Sequence, residues 1–248
     1  MQKPLRYLIA LLAGMLIAGN VGAATAPVVK SIDPPQNILF VGNSFTYYNN
    51  SLHNHLRRMM QAGDHQVGRT RIMTISGGKL SEHAAGLPAM LASENWDVVI
   101  LQGHSLEPIE EESVPEFRQS VRDHTKLIRD SGAEPVLFMT WARTHLPGQT
   151  VLLSENYTRA GNDTRSLVVP VGLSFEKSTN EKSGISLRIA DRRHPTLAGS
   201  FLAACTFYAA LFDESPAGNT YTAGLDEQTA AALQQIAWDT VTDYYDAE

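Results

Sequence analysis

The chain places a serine where it could act as a nucleophile. Ser44 lies in the segment Gly42-Asn43-Ser44-Phe45, directly after the apolar run 38–41. A serine presented at the end of a strand is available to attack a substrate, but Gly, Asn and Ser are also ordinary turn residues. Taken alone, this segment favours a turn, and a catalytic interpretation needs a base elsewhere in the chain.

A base with an orienting carboxylate is found in the segment Asp191-Arg192-Arg193-His194-Pro195, which precedes an apolar helix predicted over 196–212. Because proline disfavours helical geometry at the residue before it, His194 should stand free at the helix entrance with Asp191 one turn behind. A carboxylate on one ring nitrogen fixes the tautomer, and the other nitrogen accepts the serine proton. The alternative is a capped helix start with an exposed histidine. Together with Ser44, the spacing favours catalysis.

Two further segments follow predicted strands, where an open α/β sheet gathers its ligands. They are Ser76-Gly77-Gly78-Lys79 and Gln102-Gly103-His104-Ser105. Paired glycines allow a backbone N–H to approach a developing oxyanion, and a glutamine amide can donate a second hydrogen bond to it. Either segment would equally suit a turn or a strand cap.

In this order, the four segments resemble the sequence blocks of the SGNH or GDSL-type hydrolases. The resemblance covers nearly the whole chain after its first residues. It implies a flavodoxin-like fold and ester hydrolysis by a Ser-His-Asp triad, with no metal or organic cofactor. Ser44 would be the nucleophile, His194 the general base and Asp191 its orienting partner. The backbone N–H groups of Ser44 and Gly78, with the side chain of Gln102, would form the oxyanion hole.

The chain departs from the common family pattern in two blocks. The first reads Gly-Asn-Ser-Phe where the family often has Gly-Asp-Ser-Leu, and the third has Gln102 and His104 in place of Gly-x-Asn-Asp. This third block is similar to that of carbohydrate O-acetylesterase branches, which implies acetylated sugars as substrates. Asn43, His104 and Trp141 are the candidate substrate-pocket residues, although Trp141 would suit the core as well.

Five short apolar runs alternate with helical patterns and predict one three-layer α/β/α sandwich around a central, mostly parallel five-stranded sheet. The predicted strands span 38–41, 71–75, 97–101, 136–139 and 167–171. The clearest helix is predicted over 113–130, with Ser113 and Glu116 as a capping box. A final helix is expected over 225–244, and the polar stretch 145–166 reads as a loop or short helix near the site.

The N-terminal residues have the pattern of a targeting sequence. Lys3 and Arg6 precede an apolar run too short for a membrane span, and small residues follow, which predicts a signal peptide over 1–23. A leader over 24–37 and a hydrolase domain over 38–248 would follow. Export, to the periplasm or the medium if the source is bacterial, is therefore expected, with no stable membrane span after cleavage.

Net charge, cysteine content and histidine spacing limit the classes of ligand and binding partner that the chain could have. The net charge of −6 would become −8 on loss of Lys3 and Arg6, so nothing favours nucleic acid. Cys205 is the single cysteine, which excludes an intramolecular disulfide. His53 and His55 lie two apart on a predicted helix and point to different faces, which disfavours a metal site. The partner expected is a small-molecule or glycan ester.

The leading hypothesis is an exported serine esterase acting on short acyl esters through an acyl-enzyme. An O-acetyltransferase would use the same triad with a sugar hydroxyl as acceptor. A non-catalytic glycan-binding protein on the hydrolase fold is the third hypothesis, and it would require that the altered blocks signal lost catalysis.

Overall fold

A computed structural model describes residues 26–181 and 184–247, and the predicted signal peptide lies outside this part of the chain. Five strands form one sheet in the order β2-β1-β3-β4-β5, and every pairing is parallel. The strands are β1 Ile38–Gly42, β2 Thr70–Thr74, β3 Val98–Leu101, β4 Glu134–Phe138 and β5 Leu167–Val169. The predicted α/β sandwich is confirmed, with a sheet that is wholly parallel.

Three of the five strands have continuous apolar sequence and are buried throughout. Every residue of β1, β3 and β5 is buried, because helices cover both faces of the sheet. Of the two edge strands, β2 and β5, only β2 is partly exposed along its length, and its sequence is Thr-Arg-Ile-Met-Thr. The chain leaves β1 to form β2 on one side and then β3 on the other, which creates a topological switch point between β1 and β3.

The helices form two groups. The bounds are α1 Ser44–Tyr47, α2 Leu52–Ala62, α3 Leu87–Leu91, α4 Val114–Asp130, α5 Gln149–Thr164, α6 Val171–Asn180, α7 Leu197–Phe212 and α8 Glu227–Tyr245, with a 3₁₀ turn over Leu80–His83. Helix α7 contacts α2, α6 and α8, while α4 contacts α5 and the 3₁₀ turn. Because α7 is apolar on all sides, it is buried almost completely and contains the buried Cys205.

Two sequence predictions about helices are wrong. The stretch expected to be a loop or short helix is the 16-residue helix α5, and its Gly161 is a packing contact rather than a helix breaker. A Cβ at Gly161 would lie 2.3 Å from Val168 Cγ2, so only glycine lets the helix approach β5. The capping box of α4 is absent because the Ser113 hydroxyl donates to the carbonyls of Glu107 and Glu110.

The described part of the leader is held at the amino ends of the strands. The Asp97 carboxylate accepts the backbone N–H groups of Gln36 and Asn37, each at 2.8 Å. Further back, Asn162 of α5 accepts the N–H of Val28 and donates to the carbonyl of Ala26. The leader therefore lies at the end of the sheet opposite the carboxyl ends of the strands. Among the described helices, none has the length and apolarity to cross a membrane.

Candidate active site

The serine, histidine and aspartate singled out in the sequence come together at the carboxyl end of the sheet. Ser44 is the first residue of α1, directly after β1, and it lies beside the switch point between β1 and β3. Its Oγ is 2.8 Å from Nε2 of His194, and Nδ1 of the same ring is 2.5 Å from Oδ2 of Asp191. The fold thus brings a hydroxyl, an imidazole and a carboxylate into one continuous hydrogen-bonded chain.

The loop before α7 is built around the Asp191 carboxylate. While Oδ2 contacts the imidazole, Oδ1 accepts the backbone N–H groups of Arg193 and His194, each at 2.9 Å. Partial burial alone would raise the pKa of Asp191, but the hydrogen bonds from the His194 ring and from these two N–H groups outweigh it and lower the pKa to about 2. Asp191 is therefore ionised at neutral pH. Nδ1 then carries a proton, and Nε2 is free to accept one from Ser44.

Aromatic rings hold the imidazole on its other sides. The ring of Tyr48 stacks on His194 at 4.4 Å between centroids and 5° between planes, and Phe45 meets it edge-on at 5.8 Å. Only 7% of His194 is exposed. The ring is therefore oriented by packing as well as by Asp191. Sequence reasoning passed over Tyr48, and its position four residues after Ser44 at the end of α1 is the signal that was available.

Two residues predicted for the oxyanion hole have their donors engaged elsewhere. The N–H of Gly78 donates to the carbonyl of Ile75 at 3.0 Å. The Gln102 side chain, 1% exposed, donates through Nε2 to Asn43 Oδ1 at 2.7 Å and to the Gly103 carbonyl at 2.8 Å. The orientation of this amide is settled because its Oε1 accepts the backbone N–H of Asn43 at 3.1 Å. Neither predicted donor is free in this arrangement, so the structure gives these two assignments no support.

Gly77, next to Gly78, differs from it in its backbone conformation and in its hydrogen bonding. The turn from Ile75 to Gly78 has Gly77 at its third position with φ +66°, as in a type II turn, and a Cβ there would meet nothing within 4 Å. Within residues 26–181 and 184–247, neither the N–H of Gly77 nor that of Ser44 has an acceptor, and both residues line the same cavity. Asn43 ties this turn to Ser44, since its Nδ2 donates to the Gly78 carbonyl at 3.1 Å.

The cavity beside Ser44 is small and lined mainly by polar groups. Its volume is about 190 Å³. Besides the residues already named, the walls include Tyr47, Ser76, His104 and Arg193. Burial, and then the charges of Arg193 and Arg143, lower the pKa of His104, so this imidazole is neutral at pH 7. Its Nδ1 accepts a long hydrogen bond from the N–H of Leu106 at 3.4 Å, which leaves the hydrogen on Nε2.

Of the three candidate pocket residues, Asn43 and His104 line the cavity and Trp141 does not. Trp141 is 2% exposed and stacks between Phe45 at 4.3 Å and Phe175 at 4.2 Å. Its indole N–H donates to the carbonyl of Arg193 at 2.9 Å. Trp141 therefore packs against Phe45 and the loop of Arg193. Because the core encloses both of its faces, the structure gives its assignment to the substrate pocket no support.

The remaining histidine pair has ordinary structural partners. Nδ1 of His53 is 2.8 Å from the Ser51 hydroxyl, and His55 lies between the hydroxyl of Tyr221 at 2.7 Å and the carbonyl of Asn49 at 2.6 Å. In the part of the chain that the structure describes, no three His, Cys, Asp or Glu side chains come together as a metal site.

Solved structures share this fold and, in one case, a related sequence. A protein assigned to the SGNH hydrolases, from Slackia heliotrinireducens, is 26% identical over 71% of this chain and 98% of its own, with a TM-score of 0.60. A DUF4886 family protein from Bacteroides uniformis is 19% identical over 86% of this chain and 96% of its own, with a TM-score of 0.63. The acetylxylan esterase Axe2 from Geobacillus stearothermophilus is 16% identical over 71% and 94%, with a TM-score of 0.57.

No family model and no curated protein sequence matches the chain. The assignment therefore rests on the solved structures, on the all-parallel sheet in the order β2-β1-β3-β4-β5, and on the four motifs in their order along the chain. On these grounds the chain belongs to the SGNH hydrolase superfamily.

Proposed function

We propose that this protein is a serine esterase that removes short acyl groups, foremost acetyl, from hydroxyl groups of carbohydrates. The observation that carries the proposal is the hydrogen-bonded chain from Ser44 through His194 to Asp191, with separations of 2.8 and 2.5 Å, at the wall of a small cavity. A nucleophile within reach of a base that is itself oriented by a third group is the arrangement that covalent acyl transfer requires.

The reaction follows from these positions. Ser44 Oγ attacks the ester carbonyl as its proton passes to Nε2 of His194, and Asp191 stabilises the imidazolium that forms. The free N–H groups of Ser44 and Gly77 receive the negative charge on the carbonyl oxygen. His194 then gives its proton to the departing alkoxide, which leaves an acyl group on Ser44. A water molecule, deprotonated by His194, cleaves that acyl-enzyme and releases the acid.

The size of the cavity supports a short acyl group. Its volume of about 190 Å³ is below the roughly 300–1,000 Å³ of pockets that hold drug-sized ligands. A long alkyl chain would need apolar walls, whereas this cavity has polar groups from Asn43, Ser76 and His104. The likeness to an acetylxylan esterase supports a sugar alcohol, and the N-terminal pattern over 1–23 supports a role outside the cytoplasm.

Replacing Ser44 with Ala tests the proposal. The wild type should release acetate from p-nitrophenyl acetate and from acetylated oligosaccharides, and should react with a fluorophosphonate probe. Ser44→Ala should lose both properties. Ser131→Ala is the matched control, because Ser131 is an exposed residue just after α4, at the amino end of the sheet.

Three outcomes would contradict the proposal. Turnover by Ser44→Ala equal to that of the wild type would remove the nucleophile. A wild type that neither turns over esters nor reacts with the probe would instead indicate a non-catalytic glycan-binding protein. Transfer of the acetyl group to added oligosaccharide in preference to water would indicate an acetyltransferase.

A further inference from the structure

We infer, resting on the proposed function, that the alcohol portion of the natural ester carries a carboxylate, as in an acidic sugar, and that Arg193 binds it. Arg193 directly precedes His194 and lines the same cavity as Ser44. Since His194 hands its proton to the leaving alkoxide, the alcohol portion must lie on the His194 side of the cavity, next to Arg193.

The backbone of Arg193 is held while its charge is left unpaired. Its N–H donates to Asp191 Oδ1 at 2.9 Å, and its carbonyl accepts the indole N–H of Trp141 at 2.9 Å. Among the described residues, its guanidinium has neither an ion pair nor a hydrogen-bond acceptor, although the residue is partly buried. A partly buried arginine without an anion is suited to bind one from the ligand, and its planar fork matches a carboxylate.

A second arginine strengthens the positive charge at this side of the cavity. The N–H of Thr144 donates to the carbonyl of Arg192 at 3.1 Å, which brings the loop of Arg143 against the loop of Arg193. Nε of Arg143 is buried and has no partner in the described chain. Both charges act on His104, and each lowers its pKa by more than Glu110 raises it.

This local field runs against the charge of the whole chain. The protein carries a net charge of −6, which by itself would repel an acidic substrate. Lys79, the next cation near His104, is paired with Glu116 at 2.8 Å and so contributes little free charge. Among the described residues, the uncompensated cation that lines the cavity is thus Arg193, and Arg143 adds positive charge from the adjacent loop, which favours a carboxylate ligand over a neutral one.

The neighbouring arginine provides a matched control. Arg192 has a left-handed backbone with φ 63°, is exposed, and lines a different cavity formed with residues 184–190. Arg192→Gln and Arg193→Gln each remove one positive charge from the same loop and retain a side chain of similar length. A general electrostatic effect of lost charge would be the same in both variants, whereas a binding role belongs to one position.

The test compares two acetate esters that differ in the charge of the alcohol portion, 3-acetoxybenzoate and 3-acetoxybenzamide. The quantity of interest is kcat/KM for the anionic ester divided by kcat/KM for the neutral amide. This ratio does not depend on the fraction of each preparation that is active. Arg193→Gln should lower this ratio by about tenfold or more, since hydrogen bonds to charged groups are the stronger class. Arg192→Gln should leave it unchanged, and Arg193→Lys should lie between. In the wild type, kcat/KM for the anion should fall with added salt and that for the amide should not.

The outcomes separate this inference from the proposed function. Hydrolysis of both esters by the wild type, with a ratio that Arg193→Gln does not change, would overturn the inference and leave the esterase intact. An equal loss in Arg192→Gln and Arg193→Gln would also overturn it. Failure of the wild type to hydrolyse either ester or to react with a fluorophosphonate would overturn the proposed function itself.

Discussion

Replacing Asp191 with Asn isolates what its charge contributes. In the wild type, Oδ2 faces Nδ1 of His194 at 2.5 Å and Oδ1 accepts two backbone N–H groups. An Asn carbonyl would retain the two backbone hydrogen bonds, so the loop should keep its shape. The amide NH₂ would then face Nδ1 and donate to it, which places the ring proton on Nε2. In that tautomer the imidazole cannot accept a proton from Ser44.

The expected loss is the sum of two contributions. Returning the ring to the reactive tautomer costs about 2 kcal/mol, because the amide and Nδ1 then present donors to each other. Losing the charge-assisted hydrogen bond to the imidazolium costs roughly 1.5–3 kcal/mol more. The lower end of this range is the better guide, because the side chain of Asp191 is 39% exposed and solvent screens its charge. A total of about 3.5–5 kcal/mol at 1.36 kcal/mol per tenfold corresponds to a fall in kcat of roughly 400- to 5,000-fold.

The assay is steady-state hydrolysis of p-nitrophenyl acetate at pH 7, together with urea unfolding. Asp191→Asn should lose kcat while its free energy of unfolding falls by no more than about 2 kcal/mol, because both backbone hydrogen bonds persist and only the stabilisation due to the charge of the partly exposed carboxylate is lost. Asp191→Ala is the companion variant and should lose more stability, since two N–H groups are left without their acceptor. A fall in kcat of less than about 30-fold in Asp191→Asn would refute the tautomer argument.

Three further predictions concern the surroundings of the triad. Gln102→Ala should lower the free energy of unfolding by about 3 kcal/mol in urea titration, since Asn43 loses both hydrogen-bond partners that the amide supplies. A fall in kcat at unchanged stability would instead support Gln102 as an oxyanion donor. Tyr48→Ala should lower kcat by roughly 3- to 10-fold through loss of the stacked ring, and Tyr48→Phe should match the wild type. An equal fall in kcat in the two variants would contradict a stacking role, since Phe retains the ring. Burial holds the pKa values of His83 and His124 below the usual 6.5, so the unfolded chain binds protons first and stability should fall as pH drops below 6.5. Replacing both histidines with Met should flatten that slope by up to about 2.7 kcal/mol per pH unit, and an unchanged slope would place the titration elsewhere.

Local sequence patterns predicted those parts of the structure that depend mainly on residues close together in the chain. Continuous apolar runs indicated strands covered on both faces, and no strand end in the structure differs from its predicted position by more than two residues. The spacing of Asp191 and His194, with Pro195 next, indicated how the two side chains face each other, because a single loop determines that contact. The stretch 145–166 was harder to interpret. Its glycines resemble loop residues until β5 is known to pack against Gly161.

What the sequence determined by itself, then, is the parallel α/β layering and the identity of the three residues that meet at the carboxyl end of the sheet. Only the tertiary structure decided which hydrogen-bond donors remain free. Gln102 and Asn43 are 59 residues apart, and their mutual hydrogen bonds use the amide that sequence reasoning assigned to the oxyanion. A residue type shows what a donor can do, but whether it is available depends on the groups that the fold places beside it. The same holds for the free N–H of Gly77 and for the unpaired charge of Arg193.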